Sequence, residues 1–174
     1  VEVWDGKKIP KDWTVYAAIK ITPEENMPNV GVLVARAAKN TGKEDSLYVL
    51  DEYKLFTDDY EGIFVWIQRA LMDYCEKPES ATIWMHKNSA DYLPTIRQKL
   101  EKNRVVLFDE SPMAGITEAN WYLQQNALKA LIKDPLQLGV AVDSKGLVST
   151  RNEAATWGYT EKGLPNGIGQ VWDC

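Results

Sequence analysis

The sequence predicts an α/β domain with a mixed β-sheet, in which three antiparallel strands precede parallel strands and helices cover both faces. Two observations indicate this class. Three apolar runs follow one another through short polar connections, which favours an antiparallel meander. The apolar spacing then changes to the helical period, and helix and strand patterns alternate afterwards. A meander followed by such alternation is typical of a mixed sheet covered by helices.

The meander is predicted from runs of Val, Ile, Leu, Ala and Tyr bounded by turn-forming residues. Its three strands are expected at Thr14–Ile21, Val30–Ala37 and Leu47–Leu55. Residues 1–12 carry three lysines around a proline and are interpreted as a linker or lead-in. The domain is therefore predicted to occupy residues 13–174.

The second half is predicted as helices and strands in alternation, ending in a β-hairpin. In the central crossover unit, Leu93, Ile96 and Leu100 form one apolar helical stripe between two short strands. The predicted elements are a helix at Asp58–Cys75, a strand at Thr82–His86, a helix at Asp91–Lys102, a strand at Val105–Phe108, a helix at Ile116–Ile132 and a hairpin of Leu138–Val142 with Leu147–Thr150. This order is that of the ribonuclease H-like fold.

The expected place for a functional site is the edge where the parallel strands of the crossover unit end. Open α/β sheets bind ligands beyond the carboxyl ends of their strands. Polar side chains follow both strands, at residues 86–89 and 109–111. The pattern thus locates a site without naming its chemistry.

Composition restricts the possible functions. The net charge is −5 and the pI about 5.0, so no overall positive field attracts the chain to nucleic acid, and such contact needs a local patch, a metal or a partner. The chain has one His and no CxxC pair, which argues against a zinc site. No apolar run is long enough to span a membrane. Both ends of the chain are interpreted as cut from a longer protein.

Several sequence segments resemble segments of the nuclease domain in the large terminase subunit of tailed bacteriophages. The opening runs VYAAIKIT and NVGVLVARA, followed by YVLDEY at Tyr48–Tyr53, are similar to the strands before the first helix of that family. The family's strand that ends in Asp-Pro-Ser is similar to IWMHKNSADYLPTIRQKL. The next strand of the family is similar to RVVLFDESPMAGI. NEAATWGYTEKG is similar to a Glu-rich turn with a Trp, and GIGQVWDC lies where the last acidic motif begins.

The resemblance implies a DNA endonuclease in which three acidic side chains hold two Mg²⁺ or Mn²⁺ ions. When these segments are aligned with the family, its first two acidic residues correspond to Lys20 and Lys87. The third falls at or just past Asp173. An ammonium group repels a divalent cation. We therefore expect a degenerate nuclease site, in which the two lysines contact DNA phosphate as point charges.

A relocated metal site is the alternative for the remaining acids. Glu52, Asp109 and Asp173 would then converge as metal ligands, with Asp173 as the catalytic acid. They are otherwise interpreted as solvated strand-end charges or as partners of a helix dipole.

Two further features each have two interpretations. His86 is a candidate general base or a structural histidine. Arg97 belongs to a local basic cluster, which is either a phosphate-facing patch or a solvated helix face. The other members of the cluster are Lys99, Lys102 and Arg104.

The resemblance also implies partners and a location. They are double-stranded DNA, an upstream ATPase domain and a portal or small terminase subunit, in the cytoplasm of an infected host and away from membranes. No Gly-x-x-x-x-Gly-Lys-Ser/Thr loop occurs in the sequence, so the motor is predicted before Val1. Two functions stay open: a terminase nuclease-type domain that cleaves or contacts DNA, or a non-catalytic ribonuclease H-like interaction module in a larger assembly.

Overall fold

The computed structural model describes residues 2–3, 7–22, 27–38, 47–56, 59–109 and 128–132. Within these ranges the strands join into one sheet, and two α-helices cover it. The strands are β1 (Glu2–Val3), β2 (Thr14–Lys20), β3 (Asn29–Arg36), β4 (Leu47–Leu55), β5 (Thr82–His86), β6 (Arg104–Phe108) and β7 (Leu128–Ile132). The helices are α1 (Glu61–Tyr74) and α2 (Leu93–Lys99), with short 3-10 helices at Pro78–Ser80 and Lys87–Tyr92.

The sheet has the order β1-β7-β4-β3-β2-β5-β6. Strand β3 runs antiparallel to its neighbours β2 and β4, whereas the other described pairs are parallel. The predicted fold class is therefore confirmed, with a meander followed by parallel strands. Helices on the second face stay a prediction, because both described α-helices lie on one face. Because only β3 is reversed, the carboxyl ends of the other described strands lie at one edge of the sheet.

Strand pairing fixes the register with one irregularity. Leu33 pairs with Asp51 and Val34 with Val49, so Leu50 is the extra residue of a β-bulge in β4. Such a bulge bends its strand and changes which side chains face each side of the sheet. Tyr48, before the bulge, and Tyr53, after it, are an odd number of positions apart, and yet both contact the same hydrophobic core.

Helices α1 and α2 pack on one face of the sheet. Ile67 of α1 and Ile96 of α2 are fully buried in the same cluster as Leu33 and Ile83 of the sheet, and each such side chain contributes about 1.5–3 kcal/mol by leaving water. Lys99 joins the two helices, because its Nζ lies 2.6 Å from Glu61 Oε2. No helix in the described ranges is long and apolar enough to cross a bilayer.

One predicted helix is wrong at its carboxyl end. The helix expected at Ile116–Ile132 is replaced over its last five residues by β7, which pairs in parallel with β4 and with β1. Sequence alone does not separate these outcomes, because a short apolar run suits either a buried strand or a helix. Backbone hydrogen bonds to β4 on one side and β1 on the other stabilise residues 128–132 as a strand. Residues 116–127 and the predicted hairpin lie outside the described residues.

Part of the predicted lead-in packs with the domain. Ile9 is only 6% exposed and belongs to the core, and its backbone N–H donates to Tyr74 O over 2.6 Å. Glu2 and Val3 pair with β7. Residues 1–12 therefore include core contacts, while the domain boundary at residue 13 stays a prediction.

Gly31 of β3 has no room for a side chain. A Cβ atom there would lie within 3.1 Å of three carbon atoms of the Trp66 indole. We therefore predict that Gly31→Ala lowers the free energy of unfolding by about 1–3 kcal/mol, the usual range for overpacking. Chemical denaturation measures this change.

Gly62→Ala is the control for this contact. The nearest atom to a Cβ at Gly62 would be the Tyr53 hydroxyl oxygen, at 2.6 Å, which is the far end of a side chain. We expect a smaller loss there, because the end of a side chain can move aside. An equal loss in both variants would contradict a rigid indole contact.

Candidate functional site at the strand tips

The carboxyl ends of β2, β5 and β6 lie side by side. Ile19 pairs with Met85, and Met85 pairs with Leu107. The residues that follow these positions therefore reach the same edge on three neighbouring strands, about 4.8 Å apart. We call this edge the strand-tip surface, and it comprises Lys20, His86, Lys87 and Asp109.

Lys87 and Asp109 form an ion pair across the tips of β5 and β6. Lys87 Nζ donates to Asp109 Oδ2 over 2.5 Å. Both side chains are exposed, by 54% and 61% respectively. An exposed pair of this kind contributes about 0–1 kcal/mol to stability, because water screens it. The pair is thus weak enough to be exchanged for another partner.

Ser89 joins the tips of β2 and β5. It lies in the polar segment 86–89 noted in the sequence, but the pattern does not predict its structural role. Its side chain is fully buried. The Ser89 hydroxyl accepts a hydrogen bond from Ile21 N at 2.7 Å and donates one to Ile21 O at 3.0 Å. Asn29 adds a third bond, since its Oδ1 accepts from Thr22 N at 2.9 Å. The backbone directly after Lys20 is therefore held by two buried polar side chains.

His86 has structural contacts at the end of β5. Its Nδ1 accepts a hydrogen bond from Asn88 N over 3.2 Å, which begins the 3-10 helix of residues 87–92. Its ring meets Phe108 edge-on, with ring centroids 5.3 Å apart. These contacts favour the structural interpretation of this histidine over the general-base interpretation.

The acids of β4 do not lie at the strand tip. The strand continues past Glu52 to Leu55, so the interpretation of Glu52 as a strand-end charge is wrong. Asp51 lies on the helix-covered face, near Tyr74 of α1. Burial, and then the negative charge of Asp51, raises the pKa of Tyr74. Glu52, the next residue along the strand, belongs to the opposite face.

Glu52 and Asp109 are not brought together. Strands β3, β2 and β5 lie between β4 and β6, which at about 4.8 Å per strand separates them by roughly 19 Å. Two metal ions in a nuclease site are only about 3.5–4 Å apart, so these two carboxylates do not share such a site. Asp173 lies outside the described residues, and its catalytic and metal-binding roles stay predictions.

The basic cluster around α2 is divided. Lys99 is bound to Glu61, and Arg97 is exposed on α2. Arg104 begins β6, at the amino end of the strand that Asp109 follows. A five-residue strand spans about 17 Å, so Arg104 lies at the edge opposite the strand-tip surface. A phosphate contact by Arg97 therefore stays a prediction, separate from the tips.

The described side chains at the strand tips do not form a site for a divalent metal. Among the described ranges, no three His, Cys, Asp or Glu side chains are close enough to hold an ion. Lys87 pairs with Asp109, and Lys20 ends the neighbouring strand β2. Positive charge at these strand ends repels a dication. The same arrangement suits an anion.

Together, the sheet order and the crossovers define a ribonuclease H-like α/β domain, with its candidate site at the carboxyl edge. Its fold is that of the nuclease domains of large terminases. The large terminase of a thermophilic bacteriophage aligns with 99% of this chain, at 13% identity and a TM-score of 0.68. This chain spans 39% of the length of that protein.

Isolated terminase nuclease domains match over most of their length. The bacteriophage SPP1 domain, solved with bound Mn, covers 99% of this chain and matches over 90% of its own, at 14% identity and a TM-score of 0.60. The bacteriophage P22 domain covers 98% of this chain and matches over 81% of its own, at 10% identity and a TM-score of 0.59. No protein-family model and no curated protein sequence matches the chain. The likeness therefore establishes the fold.

Ser89→Ala tests the connection between the β2 and β5 tips. We predict that it lowers the free energy of unfolding by about 2–4 kcal/mol, because it leaves a buried N–H and a buried C=O without partners. Denaturant titration measures the loss. Ser80→Ala is the matched control, since the Ser80 hydroxyl donates to Lys77 O from an exposed 3-10 helix. A Ser89→Ala variant as stable as Ser80→Ala would show that the buried bonds contribute little.

Proposed function

We propose that this chain is the nuclease-type domain of a phage DNA-packaging terminase, and that it contacts double-stranded DNA through strand-tip lysines. The ion pair of Lys87 with Asp109 is the observation that carries this proposal. It involves an ammonium group at a position that the sequence resemblance assigns to a metal-binding carboxylate of two-metal cleavage. Lys20 ends the neighbouring strand and adds a second positive charge.

The electrostatics support binding rather than cleavage. Lysine binds phosphate as a point charge, and phosphate contacts position a protein on duplex DNA without reading its sequence. The whole chain has a net charge of −5, so attraction to DNA must be local. The buried bonds of Ser89 fix the backbone beside Lys20, which orients this local charge.

Partners are proposed on the same basis. This chain matches about two fifths of the large terminase from the thermophilic bacteriophage, a protein also solved in complex with ADP. We propose that an ATPase domain precedes this domain, and that a portal or small terminase subunit binds the assembly in the cytoplasm of an infected host. Mg²⁺ or Mn²⁺ would be required only if acids outside the described ranges complete a cleavage site.

Replacing both lysines tests the DNA contact. We predict that Lys20→Ala with Lys87→Ala weakens binding of a short DNA duplex by about tenfold per lysine near 0.1 M salt. The slope of log affinity against log salt should fall by about 2, because two phosphate contacts are lost. Fluorescence anisotropy at several salt concentrations measures both quantities.

The matched control changes two lysines at the other edge of the sheet. Lys11 and Lys77 are exposed and precede β2 and β5, the same strands whose carboxyl ends carry Lys20 and Lys87. Lys11→Ala with Lys77→Ala removes the same total charge but leaves the strand tips unchanged. Equal losses in the two double variants would mean that only overall charge matters, and unchanged binding in both would rule out the contact.

Cleavage is tested separately. We predict that the chain does not nick supercoiled plasmid in Mn²⁺ above the background of the Lys20→Ala, Lys87→Ala variant. The reason is that ammonium groups at the strand tips disfavour a second cation there. Agarose gel analysis over time measures the nicked fraction. Metal-dependent nicking by the unchanged chain would show that a working site exists.

A non-catalytic interaction module is the second candidate, because apolar side chains lie at the same edge. Phe56 is 62% exposed and Leu55 49% exposed at the tip of β4, and Met27 is 40% exposed just before β3. Exposed apolar groups of this size favour protein contacts. Duplex affinity separates the candidates, since a protein-binding edge predicts no loss of DNA binding in the strand-tip lysine variant.

A further inference from the structure

Asp109 is the carboxylate partner of Lys87. Its Oδ2 accepts a charge-assisted hydrogen bond from Lys87 Nζ. A carboxylate oxygen and a phosphate oxygen are both anionic acceptors for an ammonium group. A phosphate that approaches Lys87 therefore competes with Asp109 for the same donor.

We propose that Asp109 is a specificity-determining residue that competes with phosphate for Lys87, so that only a strongly anionic ligand such as duplex DNA displaces it. This inference rests on the proposed phosphate contact of Lys87. A single phosphate in solution offers little more attraction than the neighbouring carboxylate. Duplex DNA carries a charge about every 1.7 Å along its axis, and this field favours the exchange.

The exposure of the pair makes the exchange possible. Lys87 and Asp109 are 54% and 61% exposed, so water hydrates the carboxylate as soon as the ammonium leaves it. Lys87 begins the 3-10 helix that Ser89 anchors to β2. Only the side chain of Lys87 then has to move, while its backbone stays in place.

The test is a cycle of variants of the whole chain, binding a short fluorescein-labelled DNA duplex. Asp109→Asn keeps the size of the side chain and removes its charge. We expect it to tighten duplex binding about two- to fivefold, the range that an exposed ion pair supports. In a Lys87→Ala background, Asp109→Asn should change duplex affinity no more than the control substitution Asp91→Asn does.

Asp91→Asn is the matched control, because Asp91 is exposed in the last turn of the same 3-10 helix, away from the Lys87 pair. Equal effects of Asp91→Asn and Asp109→Asn, or an Asp109→Asn gain that persists without Lys87, would overturn the competition. If Lys87→Ala alone leaves duplex binding unchanged, the proposed phosphate contact fails and the competition fails with it. Weaker binding by Lys87→Ala together with no gain from Asp109→Asn would refute the competition alone.

Inorganic phosphate is the second probe. Added phosphate should compete poorly with duplex for the unchanged chain and better for Asp109→Asn, because the internal competitor is gone. Equal competition in the two proteins would contradict a role in specificity. Unfolding midpoints of the variants establish whether the exposed changes leave the fold intact.

Discussion

The strand-tip surface depends on one buried hydroxyl. Ser89 bonds both the N–H and the C=O of Ile21, and these groups lie just beyond the last paired residues of β2. Without such a partner, the backbone groups of a buried turn would cost about 1–3 kcal/mol each. Ser89 therefore satisfies the backbone groups that follow β2 from the 3-10 helix that follows β5, and it connects the two chain segments that carry Lys20 and Lys87.

This arrangement makes the scaffold of the strand tips independent of the side chains that set their charge. The hydrogen bonds of Ser89 and Asn29 are made with main-chain groups, so they do not depend on the side chain at position 20 or 87. Lysines at these positions change the charge of the surface and leave its scaffold intact. Fold and activity are separable for this reason, and the similarity to the Mn-bound SPP1 domain is a similarity of scaffold.

Much of the fold follows from local pattern. The bounds of β4 and β5 match the predicted strands, because dense apolar runs end at clear polar turns. The pattern of β7 suits a helix as well as a strand, since its identity comes from neighbours that are distant in sequence. The site is harder to predict. The contact between Lys87 and Asp109 follows from strand order. The hydrogen bonds of Ser89 depend on the three-dimensional path of two loops. A small polar residue after a strand does not predict such bonds.

The contact between Gly31 and the Trp66 ring has a consequence for the alignment of the strands. Asn29 and Leu33 share the face of Gly31 on β3, two positions away on either side. Sliding β3 by one side-chain repeat would force one of these larger groups under the indole. Only one register of β3 therefore places Gly31 under the indole, and in that register the Asn29 side chain accepts its hydrogen bond from Thr22 N. The absence of a side chain at Gly31 thus fixes the register of β3, and with it the position of Lys20 at the end of β2.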